Sequence, residues 1–414
     1  MHVSPSLLGV AGLGLVFTAI TACAQPGQAV LDWRTAEAWA LSKHVKLTSR
    51  DKFLRAGEAY FSPDDAWIIF QAVPVPPDGD EPDPFYSMYV AKIVRHHGQI
   101  TGIETPILIS NPRTANTCGW FHPTLPGVVL FGSTISPPAT EQRAGFRVGE
   151  RRYVWMFPEE TEVVAMLVPE IFRDQTGLPM AVQQPFAPQH GSSPAAPIFT
   201  RPKYDAEASW SPCGRFVMYT RVREERADGP PDADIWLYDT RTREQHPLVV
   251  AQGYDGGPFF SPDGTHICYR SDRELNDHLQ LFVSKLKFED GVPTGIEREY
   301  ALTANEHVNW GPYFHPSGEF IVYASSELGH YNYEVFVIEC GPAKLAAGAT
   351  PDQLRRVRIT EAGGADVLPV FSNDGRTLIW TAQRGPLAPG DQRPTSQIWA
   401  AEFDVEAVMR RLAQ

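Results

Sequence analysis

Six times along this chain an aromatic-rich run ends in Ser or His, turns sharply, and resumes as an alternating strand. The copies are YFSPDDAWIIFQ from Tyr60, WFHPTLPGVVLFGS from Trp120, SWSPCGRFVMYT from Ser209, FFSPDGTHICYRS from Phe259, YFHPSGEFIVYASS from Tyr313 and VFSNDGRTLIWTA from Val370. The Ser or His stands at positions 62, 122, 211, 261, 315 and 372, with successive gaps of 60, 89, 50, 54 and 57 residues. A β-patterned unit recurring at this period is the signature of a repeat architecture.

Each unit reads as strands. In Ser-Pro-Asp-Gly, Pro fixes φ, Asp bonds its own backbone and Gly takes a positive φ, so the chain reverses there. The run after the turn, such as Thr265-His266-Ile267-Cys268-Tyr269, alternates with period two. A third strand follows at Met88, Ile235, Leu281, Val335 and Ile398, and a short fourth ends in an apolar-Thr pair at Leu302-Thr303 and Ile359-Thr360. Four antiparallel strands repeated radially make an all-β, six-bladed β-propeller over residues 45–404. Unit six lacks a fourth strand, and Val45-Lys46-Leu47-Thr48 carries the same ending near the other terminus. It is expected to pair with Ile398–Phe403 and close the ring, which removes two sheet edges. The 89-residue gap is read as one unit with an insertion, with Glu162–Val168 as third strand, a long loop over Pro169–Ala195 and Ala196–Thr200 as fourth. Seven blades is the alternative. Residues 23–44 are expected to be a linker with a short helix over 32–43, and residues 405–414 a helical tail.

The first 22 residues read as a signal peptide, with the apolar segment Leu7–Ile20 too short for a comfortable membrane span. Ile20-Thr21-Ala22-Cys23 fits a lipobox with Cys23 lipidated, and Ala22-Cys23-Ala24 fits cleavage after Ala24; the lipobox is preferred. The n-region MHVSPS carries no Lys or Arg. The other cysteines, Cys118, Cys213, Cys268 and Cys340, have long irregular spacings that argue against structural zinc and leave any pairing open. The net charge of −13 disfavours nucleic acid.

The SPDG turns, the Ile-Tyr and Ile-Trp third strands and the Leu-Thr endings resemble the TolB-type propeller family of bacterial cell envelopes. The segments AGEAYFSP, YDAEASWSP, YDGGPFFSPDG, VNWGPYFHPSG and GHYNYEVFVI carry the likeness. It covers about residues 45–404, and the N-terminal α/β domain of TolB has no counterpart before the first propeller strand. The resemblance implies a periplasmic or outer-membrane-anchored protein.

Propeller geometry sorts the loops by face. The connections between second and third strands, and between fourth and first, open on one face, here the mouth face; the Ser-Pro turns open on the other. On the mouth face lie long charged segments starting at Pro74, Ser133, Arg223, Ser271, Ser325 and Gln383. Six residues before each Ser or His stand Ala56, Asn116, Asp205, Asp255, Asn309 and Asp366, and two positions further on are Glu58 and Glu207. One reading makes these an acidic channel mouth for a cation or a basic partner segment. The other has them cap strand-start turns through side-chain-to-backbone bonds. His330, with Asn332 and Glu334, either joins the mouth or orders its own loop. His96-His97 reads as a solvated pair, and His122 and His315 as substitutes for the turn Ser.

No G-x-S-x-G, H-E-x-x-H or phosphate-loop motif occurs. Two classes of function follow. The first is a non-catalytic, monomeric envelope propeller that binds a protein or peptide at its mouth and needs no cofactor, although a cation fits the acidic setting. The second is a propeller enzyme, such as a metal-dependent polysaccharide lyase, or the accessory propeller of a peptidase system.

Overall fold

The computed structural model describes residues 32–139, 145–147, 152–154, 158–178, 195–223, 232–391 and 393–414. The signal segment and Cys23 lie outside them, as do residues 179–194 and parts of the mouth loops after Ser133, Arg223 and Gln383. Residues 33–414 form one compact unit. No described helix is long and apolar enough to cross a membrane.

There are six blades, not seven, each of four antiparallel strands numbered outward from the axis. The inner strands are Phe53–Phe61, Asn116–Phe121, Asp205–Trp210, Asp255–Phe260, Asn309–Phe314 and Asp366–Phe371. Blade 1 carries an extra strand, Gln99–Ile103, paired with its third strand. The sixth blade takes its fourth strand from the N-terminal Leu41–Lys46, with Val45 opposite Ala400 and Lys46 opposite Trp399. The strand begins earlier than the motif suggested, and the preceding helix is only Trp33–Glu37. Buried Leu41 explains the shift, because it packs with Phe320, Trp380 and Phe403.

The expected loop over 169–195 opens with a helix, Pro169–Thr176. Pro169 begins it, Gly177 ends it at φ 68°, and Ile171 is fully buried. Trp67 Nε1 donates to Asp174 at 2.8 Å, holding the helix to blade 1. The fourth strand of blade 2 shrinks to Ala196–Pro197. The tail forms the expected helix, Val405–Leu412, capped by Asp404, which accepts from the Ala407 N–H at 2.8 Å.

The repeat motif now has a mechanism. In four blades Ser Oγ accepts the backbone N–H five residues on, as Ser62 does from Trp67 at 2.9 Å, and so closes the inner hairpin. His122 and His315 take the Ser position but reach further. Nδ1 accepts local backbone N–H groups, which leaves Nε2–H to donate to a turn glycine of the next blade: Gly214 O at 3.1 Å and Gly375 O at 3.3 Å. A Cβ at Gly375 would lie 2.5 Å from His315 Nε2, so the turn must be glycine there. The apolar-Thr endings work similarly. The apolar N–H completes the ladder while the Thr hydroxyl accepts the next third-strand N–H: Thr303 from Leu281, Thr360 from Val335 and Thr48 from Ile398.

The axis is closed. Rings of Tyr60, Trp120, Phe259 and Tyr313 meet there with centroids 5.0–6.1 Å apart. Such edge and tilted packing is favourable beyond its buried area. This plug divides the channel into a cup on the mouth side and a bowl of about 270 Å³ on the turn side.

Candidate functional site

The cup is built from one backbone irregularity used six times. Each inner strand bulges just before its last two residue pairs. In each bulge one residue has a positive φ: Glu58, Cys118, Glu207, Gly257, Gly311 and Leu368, at 49–62°. Glycine adopts this conformation freely, and blades 4 and 5 use it. The other four residues carry side chains there at a cost on the order of 1–2 kcal/mol each. Such strain concentrates where a side chain is needed.

Three of these strained side chains, Glu58, Cys118 and Glu207, belong to a buried polar cluster. Glu58 accepts from Cys118 Sγ at 3.0 Å, Thr117 Oγ1 at 3.3 Å and Tyr60 Oη at 3.3 Å. Glu207 accepts from Tyr254 Oη at 2.5 Å, Arg270 Nη2 at 2.9 Å and Tyr204 Oη at 3.0 Å. Burial raises the pKa of Glu58 and lifts the Cys118 thiol far above its ordinary range, so that thiol is a poor nucleophile. Burial opposes the charge on Arg270, but Tyr254 and Glu207 outweigh it and keep the guanidinium protonated.

The Asp and Asn positions one step further out lie in the blade-to-blade joints. Asn116 Nδ2 donates to Tyr86 O at 2.9 Å, and Asn309 Nδ2 to Leu279 O at 3.2 Å, each in the preceding blade. The three Asp residues are buried against arginines. Asp205 meets Arg201 and Arg221, both at 3.1 Å. Asp255 meets Arg273 at 3.2 Å, and Asp366 meets Arg384 at 2.5 Å. Burial raises all three, Asp255 to about 6, while the arginines pull them back. Arg384 is itself shared with Glu37 of the first helix, which it grips at 2.7 and 2.9 Å. Glu334 beside it is pushed up to about 9 by burial and by the charge of Asp366.

The structure therefore brings Glu58 and Glu207 to the axis together and sets Asn116, Asp205, Asp255, Asn309 and Asp366 in the joints around them. His330 is exposed on the mouth loop of blade 5. Sequence reasoning missed Cys118, Arg270, Tyr204 and Tyr254. One signal was available: at the register position of Arg270, the other five blades carry Gln71, Gly132, Thr220, Ala324 and Thr381. A lone charge among uncharged residues marks a special site. Among the described residues no group of three His, Cys, Asp or Glu side chains is arranged to hold a metal.

Above the cup the mouth loops expose large apolar side chains. Leu275, Leu328, Tyr331 and Leu387 are 44–55% exposed. Arg393 of blade 6 lies over the Tyr331 ring of blade 5 at 4.4 Å, tying two of these loops together.

No protein-family model matches the chain. An uncharacterized protein of Agrobacterium fabrum strain C58 is 28% identical over 149 residues, 36% of this chain and 43% of that protein. The chain thus matches less than half the length of that curated relative. Among solved structures, a putative TolB from Agrobacterium tumefaciens is 12% identical with a TM-score of 0.48, covering 88% of this chain and 99% of that one. TolB from Acinetobacter baumannii is 13% identical with a TM-score of 0.46, covering 87% and 65%. An oligogalacturonate lyase from Vibrio parahaemolyticus is 10% identical with a TM-score of 0.46, covering 88% and 95%. At these identities the likeness is one of fold alone.

Proposed function

We propose that this chain is a non-catalytic propeller of the bacterial cell envelope that holds a protein or peptide segment on its mouth face. The observation that carries the reading is what the mouth loops expose. On the opposite face the six inner hairpins turn tightly and are closed by their own Ser, His and Asp side chains. The mouth face carries the long loops and, on three of them, exposed Leu275, Leu328, Tyr331 and Leu387. Apolar side chains presented on loops around a rigid scaffold are typical of a binding surface. At the axis, Glu58 accepts from Cys118, Thr117 and Tyr60, and Glu207 from Tyr204, Tyr254 and Arg270, so both carboxylates are engaged by the chain's own donors. No cofactor enters the proposal. A cation at the acidic mouth, and a lipid on Cys23 as tether to a membrane, would be compatible additions to it.

The test is crosslinking capture from an envelope fraction, comparing the native chain with the Leu328→Ser/Tyr331→Ser/Leu387→Ser variant. These side chains are exposed, so the variant should keep its thermal midpoint. A partner captured by the native chain and lost by the variant is the expected result. Equal capture by both, or capture by neither, overturns the mouth-face reading.

A further inference from the structure

Arg270 presents the open polar group of the axial cup. Its Nη2 donates to Glu207 Oε2 at 2.9 Å and to Tyr254 Oη at 2.8 Å. Its Nε is buried and makes no hydrogen bond, although the residue is only 8% exposed. Nη1 makes none either among the described residues. A guanidinium so deeply placed with vacant N–H groups is unusual, because buried polar groups are nearly always paired.

Beside it lies a void of about 20 Å³, lined among others by Glu58, Glu207, Gly257 and Leu368, with Tyr60 and Phe259 of the plug at its floor. That volume is about what one water-sized polar atom needs. The backbone is shaped for this arrangement. Gly257 has φ 58°, and a Cβ there would lie 1.8 Å from Arg270 Nη1. Only glycine lets the guanidinium reach the axis. The other polar groups of the cup are committed: Cys118 and Tyr60 donate to Glu58, while Tyr204 and Tyr254 donate to Glu207.

We propose that the axial cup is a recognition site for a carboxylate, one of whose oxygens enters the void beside Glu58 and accepts from Arg270 Nη1, which lies against Gly257 on the wall of that void. A guanidinium pairs with carboxylate more strongly than with any neutral acceptor. The aromatic plug behind it gives the void an apolar floor, which strengthens the contact. Glu58 sets the condition for entry. Burial favours its protonated form, in which it adds no charge and offers an O–H to the incoming oxygen. Glu207 is paired with Arg270 at 2.9 Å, and burial raises Cys118, Tyr60, Tyr204 and Tyr254 so that they stay neutral. Affinity therefore falls as pH rises through the titration of Glu58. The carboxylate could be the C-terminus of a peptide or a free small acid. The proposal rests on the mouth-face reading only in that the ligand enters from that side.

The experiment is calorimetric titration of the full chain with three probes: sodium acetate, acetyl-trialanine with a free C-terminus, and the same peptide amidated. Binding of the free-acid peptide, weakened at least tenfold by amidation, is expected. Acetate binding as tightly as the peptide identifies a free acid as the source; acetate binding at least tenfold more weakly identifies a peptide terminus. Glu207→Gln removes the competing carboxylate and should tighten binding several-fold. Arg270→Gln combined with Glu207→Gln removes both charges without stranding either, and should abolish binding while the fold persists. Equal affinity for acid and amide, or no heat from any probe at millimolar concentration, overturns the proposal and leaves the void to a bound water. Probe binding without partner capture sinks the mouth-face reading alone, and the reverse sinks this site alone.

Discussion

The side-chain amide of Asn373 in the sixth blade donates to the Asp65 carboxylate in the first at 2.7 Å, and its backbone N–H reaches the same oxygen at 2.9 Å. The amide also reaches Ser62 O at 2.9 Å. Asn373 stands where the other five turns have Pro63, Pro123, Pro212, Pro262 and Pro316. Proline has neither the N–H nor the amide. The one departure at this proline position thus falls where the last blade meets the first, and it stitches that seam.

Asn373→Pro, which restores the repeat, should therefore destabilise the protein by about 1–3 kcal/mol, because it removes three hydrogen bonds that are only partly shielded from water. Urea unfolding would measure it. An unchanged midpoint would mean that the N-terminal strand holds the seam alone.

Thr303→Val should cost about 1–3 kcal/mol, since the buried Leu281 N–H loses its acceptor at 2.9 Å. Thr303→Ser keeps the hydroxyl and should stay within about 0.5 kcal/mol of native. The pair of variants, compared in one denaturation series, separates the hydroxyl from the methyl group.

Arg384→Met should be far worse, on the order of 3–5 kcal/mol, because it strips buried Asp366 and Glu37 of the guanidinium they share and leaves Glu37 only His44. The first helix should then become the earliest site of proteolytic cleavage, read by limited proteolysis of the purified chain.

Glu334 makes stability depend on pH. Its folded pKa, about 9, lies above the ordinary carboxyl value of 4.5. The folded state therefore holds the proton more tightly than the unfolded chain. Its contribution is fully present below about 4.5 and is lost as pH rises toward 9. Glu334→Gln mimics the protonated form, and its Tm should fall less than the native one between pH 5 and 9. Parallel slopes for the two proteins would refute this assignment.

Much of the fold was legible because it rests on local chemistry. Ser62, Ser211, Ser261 and Ser372 each close their own hairpin within five residues, so the turn can be read without knowing what it packs against. Thr48 and Thr360 likewise serve the strand beside them, which is why the N-terminal closing strand could be foreseen. The helix at Pro169–Thr176 was hidden because its polar composition resembles a loop, and only the burial of Ile171 and the contact with Trp67 justify it.

The site was legible only in part. Glu58 and Glu207 were placed on one face by strand alternation, which is a local rule. Their partners were not, since Arg270 is 63 residues from Glu207 and Thr117 is 59 from Glu58. The Asp ring shows the same limit. The sequence by itself determined a repeating hairpin, its turn chemistry and which ends must meet, because those follow from backbone bonding between near neighbours. Only the tertiary structure decided that the ring positions would be neutralised by Arg201, Arg273 and Arg384, that four aromatic rings would close the channel, and that a single guanidinium would be left open above them. Charge balance and packing around an axis depend on which side chains six separate strands bring to the same point, and that is a property of the closed ring and of no one segment.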